Sequence, residues 1–290
     1  MESSPPILFD RRYLRKRRAR ASADFSQADF LLVEAAERAA ESLALMARPF
    51  PVVVELGSHT GQLAQLLRMR TGTQHYIQCD LSPEMLQQSS GLRIAADEEL
   101  LPFAENSVDA VVSVLSLHWV NDLPGTLAQI KRILKPDGLF FAMLPGGKTL
   151  QELRAVFAQT EEAWFGGTSP RVAPFIDVRD AGALLQRAGF ALPVADTETI
   201  DVGYEHAFAL FEELRNVGEV NMLAARARRY LPWQFFVDIA SRYAQQFRDG
   251  ESITATLELV SMTGWKPADT QQQPAKRGSG KISLGEYFLG

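Results

Sequence analysis

Residues Val52-Val-Val-Glu-Leu-Gly-Ser-His-Thr-Gly61 constrain the fold more than any other stretch. Three β-branched residues run into an acid, and two glycines four positions apart lead straight into a helical pattern. A run that is apolar at successive positions suits a strand buried on both faces, as in a parallel sheet. Gly57 permits a tight turn, and Gly61 lets the next helix start close to the strand or to a ligand. The amides at that helix start can meet an anion, while Glu55 can accept from hydroxyls or an amine. Such a strand, turn and helix form a nucleotide-type cofactor pocket at the carboxyl edge of an α/β sheet.

The pattern then repeats its alternation. Strands are expected at Val52–Leu56, His75–Cys79, Leu92–Ala96, Val108–Leu115 and Leu139–Leu144, with helices between them over Gln62–Arg70, from Ser82-Pro83-Glu84 onward and over Pro124–Leu134. Ser82 is a capping hydroxyl followed by a first-turn proline and an acid. Lys135-Pro136-Asp137-Gly138 reads as a turn. Gln27–Ala47 reads as a helix ahead of the first strand, closed by Pro49 and Pro51. After Gly146-Gly147, helices are expected over Thr149–Ala163 and Val178–Ala188, and late strands over Phe190–Val202 and Ala255–Trp265.

These elements indicate an α/β fold: a Rossmann-like, doubly wound, mostly parallel seven-stranded sheet with a helical insertion before the last strand. The expected division is a basic arm and helix over 1–48, a cofactor-binding domain over 49–205 and 252–267, an insertion over 206–251, and a polar tail over 268–290. The insertion, which carries Phe208, Phe211, Trp233, Phe235 and Phe236, would lie over the carboxyl edge as a substrate lid.

Charge is distributed unevenly. The net charge is −5, yet Arg11–Arg20 holds seven basic residues and no acid, so the remainder is more acidic still. A cationic arm on an acidic body could contact an anionic membrane surface or an acidic protein, or form a solvated helix face beside the pocket. No nucleic-acid partner is expected. The longest apolar runs fall short of the roughly 18 residues a membrane span needs. One cysteine, Cys79, cannot form an internal disulfide, which suits a reducing compartment such as a bacterial cytoplasm. The four histidines show no ligand spacing, so no metal is expected.

Spacing selects the cofactor. The dinucleotide fingerprint is G-x-G-x-x-G, whereas Glu55-x-Gly57-x-x-x-Gly61 resembles motif I of class I S-adenosylmethionine-dependent methyltransferases. Asp80, closing the second strand, can accept both ribose hydroxyls of an adenosine. Asp97 and Glu98 after the third strand suit the adenine amino group. The same resemblance implies Ser58, His59, Leu81, Met85 and Leu115 as further cofactor contacts. His118 is the candidate proton acceptor for an amine or guanidine substrate. Trp119 is a candidate substrate contact, and Arg154 or Arg171 could orient a carboxylate substrate by a bidentate contact.

The resemblance narrows with Ala96-Asp-Glu-Glu-Leu-Leu-Pro-Phe103, Ser116-Leu-His-Trp-Val-Asn-Asp-Leu-Pro124, Leu134-Lys-Pro-Asp-Gly138, Gly146-Gly-Lys-Thr-Leu-Gln-Glu-Leu-Arg154, Arg187-Ala-Gly-Phe190 and Gly264-Trp-Lys266. In this order the motifs resemble, as a bacterial counterpart, the family of the mitochondrial complex I assembly factor with a methyltransferase fold. The likeness runs from Phe9-Asp10-Arg11 to Ser283-Leu-Gly-Glu286 and implies that the following arginines belong to the fold. It also implies arginine hydroxylation on a respiratory-complex subunit, and a matrix location in a eukaryote. The biotin-pathway malonyl-carrier-protein methyltransferases share the patterns more loosely. Three activities stay open: methyl transfer to an unidentified acceptor, arginine hydroxylation, and malonyl-carrier-protein O-methylation. A non-enzymatic assembly chaperone is the fourth reading. One departure stands out. Both families carry a middle glycine where this chain has His59, whose side chain would crowd the cofactor although histidine tolerates positive φ.

Overall fold

The computed structural model describes residues 7–68, 73–271 and 279. Five strands are built from the apolar runs: β1 (Val52–Leu56), β2 (His75–Asp80), β3 (Leu92–Ala95), β4 (Val108–Val114) and β5 (Leu134–Pro145). They pair in parallel in the order β3-β2-β1-β4-β5. Two long strands, β6 (Ala191–Tyr204) and β8 (Ser252–Trp265), complete the sheet antiparallel, with β8 next to β5. A two-residue strand, β7 (Arg248–Asp249), pairs with the start of β8, so the sheet has eight strands, seven of them substantial. Chain direction across the sheet reverses between β1 and β4. In open α/β sheets, the crevice beyond the carboxyl ends at that reversal holds the ligand.

The helices cover both faces because successive strand residues point to opposite sides. On one face Val53, Ala110, Val112 and Phe141 meet α2 (Phe30–Ala44) and α3 (Gln62–Arg68). Ala35, Ala36, Ala39 and Ala40 are fully buried there, and their small side chains let α2 lie close to the sheet. On the other face Val54, Val111, Phe140 and Ala142 meet α5 (Leu123–Ile133) and α7 (Val178–Ala188). The short α4 (Pro83–Gln88) follows β2, and the Ser82 hydroxyl accepts from the Met85 amide at 3.4 Å, the cap its sequence predicts.

Several boundaries differ from the sequence reading. The helix expected from Gln27 begins at Phe30, because Phe25–Gln27 form a separate 3-10 turn. The Lys135–Gly138 turn is absorbed into β5: Val108 pairs with Leu134 and Ala110 with Leu139, leaving the intervening residues as a bulge with Asp137 at φ 60°. The first helix after β5 is α6 (Gln151–Phe165), shifted by two residues. Of the helix expected over Gln62–Arg70, residues 69 and 70 lie outside the described residues, as does most of the 268–290 tail, Ser283–Glu286 included.

The basic run is a docked helix, α1 (Arg11–Ala21). Asp10 caps it by accepting from the Tyr13 amide at 2.9 Å. Leu14, Arg18 and Ala21, spaced on one helical face, are buried, whereas Arg12, Arg15, Lys16 and Arg20 are exposed. Between β6 and β7 lie α8 (Ala207–Asn216) and α9 (Trp233–Gln246), which form a third core with α6 around Phe235, Ile239 and Tyr243. The loop after α8 grips the N-terminal segment: Phe9 pairs with Leu223, and Phe9, Leu14, Trp119 and Met222 share a small apolar cluster. No helix among the described residues is long and apolar enough to cross a membrane.

Candidate active site

At the carboxyl ends of β1, β2 and β4 the structure gathers the residues singled out by motif. Gly57 turns at φ 66° and lies directly under the Ser116 side chain. A Cβ at Gly57 would stand 1.9 Å from Ser116 Oγ, so no other residue fits. Asp80 is fully buried at the end of β2. Its Oδ1 accepts from the Ser82 amide at 2.7 Å, and its Oδ2 accepts from the His59 amide at 3.1 Å. Glu98, also buried, accepts from the Ser116 hydroxyl at 2.9 Å.

Two arginines of α1 enter this acidic cluster. Arg18 donates through Nη1 to Asp80 Oδ2 at 3.1 Å and through Nη2 to Ser116 Oγ at 3.0 Å, and its Nη1 lies 3.6 Å from Glu98 Oε1. Arg11 pairs with Asp97 at 2.6 Å and with Glu98 Oε2. Burial alone would raise the Glu98 carboxyl, but the charges of Arg11 and Arg18 outweigh it and hold Glu98 at about 2. Burial pushes the Cys79 thiol behind the cluster up to about 12, so it is held as the neutral thiol.

His59 links the acids to a cavity. Its φ of 48° is the left-handed conformation that a glycine would take without strain. Its ring is 4% exposed, stacks on Phe25 with centroids 5.6 Å apart, and has no hydrogen-bond partner of normal geometry at either nitrogen. Burial, then the charge of Arg18, lowers its pKa to about 4, so the imidazole is neutral at pH 7.

The cavity, about 380 Å³, lies between the sheet edge and the insertion, and its walls are mostly apolar. His59, Leu115, His118 and Trp119 form its sheet side, and Leu210, Phe211 and Phe236 its insertion side. His59, Leu115 and Leu150, all on its wall, hold positive φ, a strained conformation for a leucine. Its polar lining is mixed, with Glu213 and Glu219 beside Arg171, Arg215 and Asn221. Glu219 accepts from Trp119 Nε1 at 3.0 Å and lies 3.4 Å from His118 Nε2. Burial would raise the Glu219 carboxyl, but the hydrogen bonds from His118 and Trp119 prevail and lower it. Glu213, bonded to the Tyr204 hydroxyl at 2.9 Å, is raised by burial.

Other predicted residues fall elsewhere. Met85 is buried beneath the site, and Leu81 packs beside the Trp119 cluster. Arg171 reaches the cavity wall, but Glu161 holds it through Nε at 2.8 Å and Nη2 at 2.5 Å. Arg154 is not brought to the cavity: it donates to the Gly147 and Thr149 carbonyls at 3.2 Å and braces the loop after β5. Neither arginine is placed to receive a carboxylate substrate. Among the described residues no cluster of His, Cys, Asp and Glu could hold a metal ion.

Comparison with known proteins agrees with this geometry. Residues 54–142 match the methyltransferase domain family model. A putative methyltransferase from Bacillus halodurans superposes with a TM-score of 0.55 at 14% identity, over 79% of this chain and 97% of that one, which shows the shared fold. The mitochondrial arginine-hydroxylase NDUFAF5 of Mus musculus is 41% identical over 287 residues, covering 96% of this chain and 83% of the mouse protein. The chain belongs to the NDUFAF5 family. The malonyl-[acyl-carrier protein] O-methyltransferase of Laribacter hongkongensis is also similar, at 35% identity over 86% of this chain and 87% of that protein.

Whether an adenosine-bearing cofactor fits this member of the NDUFAF5 family divides into two questions. The acceptors suit it: Asp80 can take two ribose hydroxyls, and Asp97 with Glu98 an exocyclic amine. The space between them does not, because the Arg18 guanidinium fills it and Ser116 covers Gly57. Sequence reasoning missed Arg18, Phe25, Ser116 and Glu219. Arg18 had a faint signal in its helical spacing from Leu14. Glu219 had none, since the fold brings it to Trp119 from 100 positions away.

Proposed function

We propose that this methyltransferase-fold protein binds S-adenosylmethionine at the β1–β2–β3 edge and acts in the adjoining cavity on a cation-tipped, apolar-stemmed group. The observation that carries the cofactor half is the set of three acids, Asp80, Asp97 and Glu98, gathered beside the Gly57 turn. Adjacent ribose hydroxyls and an exocyclic amine are donors that such carboxylate acceptors suit. The substrate half rests on the cavity, where apolar walls surround Glu219, held ionised by His118 and Trp119. An arginine side chain has that chemistry: a three-carbon stem under a planar cation that carboxylates bind bidentately.

The 41% identity to a protein named arginine-hydroxylase supports the same substrate with a different outcome, hydroxylation in place of methylation. A protein subunit of a respiratory complex is the partner the family resemblance implies. A malonyl group would meet Glu219 and Glu213 on the same wall, with Arg171 committed to Glu161 and Arg215 as the other arginine in reach of its carboxylate.

Equilibrium dialysis of the full chain against labelled S-adenosylmethionine tests the cofactor. Mass analysis of an arginine-bearing target after aerobic incubation with the cofactor and an added electron donor then tests the outcome. A gain of one methyl supports transfer and a gain of one oxygen supports hydroxylation. No retained label at saturation would overturn the cofactor assignment, and an unmodified target would overturn the substrate.

A further inference from the structure

The acidic cluster is already complete without a ligand, and what completes it belongs to the chain. Arg18 is 1% exposed and donates to Asp80 and Ser116, the same groups a bound nucleoside would have to reach. Its helix carries Arg12, Arg15, Lys16 and Arg20 on the outward face, while Leu14, Arg18 and Ala21 form the face that would be exposed on undocking. Arg18 also leaves its Nε without a partner, so its own hydrogen-bonding is unfinished in this position. A buried carboxylate cannot be left alone: removing one partner of a buried ion pair is strongly unfavourable, so Arg18 can leave Asp80 only as a ligand's donors take its place.

A latch holds the helix to the other half of the site. The Asp10 amide donates to the Met222 carbonyl at 2.9 Å, the Ala224 amide donates to Leu8 at 2.8 Å, and Arg226 pairs with Asp10 at 3.1 Å. The same loop carries Glu219, which holds His118 and Trp119 on the cavity wall. One segment therefore touches both the docked helix and the substrate side.

We propose that α1 is a tethered competitor for the adenosine half of the cofactor site: Arg18 must withdraw from Asp80 and Ser116 before a nucleoside can take those groups, so ligand and helix exchange places. This rests on the reading that Asp80 and Glu98 hold the adenosine. The apparent affinity is then the intrinsic one reduced by the fraction of molecules with the helix undocked. Because the latch reaches Glu219, occupancy of the cavity shifts that fraction, and by reciprocity cofactor binding alters the cavity.

The test uses the full chain and S-adenosylhomocysteine as the probe. Calorimetry compares the native protein with Arg18→Met, whose folding is checked by circular dichroism. Hydrogen exchange of residues 11–21 is followed in the native protein with and without the probe. The expected results are at least tenfold tighter binding by Arg18→Met and faster exchange in 11–21 when the probe is bound. Tight native binding with slower exchange in 11–21, or weaker binding by Arg18→Met, would overturn the exchange while leaving the cofactor assignment standing. No binding by either protein would remove both. Should Arg18→Met fail to fold, the native exchange data decide alone.

Discussion

Arg18 and Asp80, 62 positions apart in sequence, meet at 3.1 Å with almost no exposure of either side chain. One member of the N-terminal basic run is thus central to the site. The buried pair also fixes how α1 seats on the body, since Glu98 and Ser116 share the same guanidinium.

Removing the acid should therefore cost stability as well as ligand. Asp80→Asn keeps the shape but leaves Arg18 facing a neutral amide, and the expected loss is about 3 kcal/mol by analogy with broken buried pairs. Denaturant unfolding measures it. Adding Arg18→Met should recover most of the loss, and strict additivity of the two changes would show that the pair is not coupled.

His59 makes stability depend on pH in a defined window. Its folded pKa of about 4 lies below the ordinary 6.5, so the unfolded chain takes up the proton first. The stabilisation is present above pH 6.5 and is lost as pH falls from there toward 4. The full effect is about 3 kcal/mol at the low end. Glu98 adds a second loss as pH falls from 4.5 toward 2. His59→Gly, which suits the positive φ, should flatten the curve between pH 6.5 and 4 and leave the steeper acid limb. An unchanged slope in that window would exclude His59 as its source.

Phe25 closes the seam between α1 and the cavity, with 2% exposure and its ring against His59. Phe25→Ala should lower stability by about 3–4 kcal/mol through transfer and cavity terms. It should also raise the His59 pKa, because water reaches the ring. Thermal unfolding and the His59 ring proton shifts across a pH titration report the two effects separately.

On the substrate side, Glu219→Gln retains a hydrogen-bond acceptor for Trp119 but removes the charge. Affinity for an arginine-bearing peptide should fall roughly tenfold to a hundredfold, the range for a lost charge-assisted contact. Cofactor binding should stay within a factor of two or so, since the paired acids are untouched. Fluorescence anisotropy of a labelled peptide gives the first value and calorimetry the second. Equal losses in both would point to collapse of the loop rather than to a substrate contact.

The parallel half of the sheet was legible because buried strands must be apolar on both faces, and Val52–Leu56 and Val108–Val114 have that pattern. The Gly57 turn, the Ser82 cap and the acids at the ends of β2 and β3 were legible for equally local reasons. Arg18 was not, since whether an arginine is buried depends on which carboxylates the fold brings to it, here from positions 80 and 98. The same limit applies to Glu219, which no periodicity marks. Lys135–Gly138 was misread for a different reason: its turn chemistry is real, with Asp137 in the left-handed region, but pairing continues through it as a bulge.

The most direct measurement is a crystal structure of the full chain soaked with S-adenosylhomocysteine. The ribose hydroxyls should lie within hydrogen-bond distance of Asp80, the adenine amine beside Asp97 or Glu98, and the sulfur facing the cavity past His59, with Arg18 withdrawn. A map at saturating ligand with Arg18 still bonded to Asp80 and no nucleoside at the carboxyl ends of β1, β2 and β3 would contradict the assignment of this edge as the cofactor site.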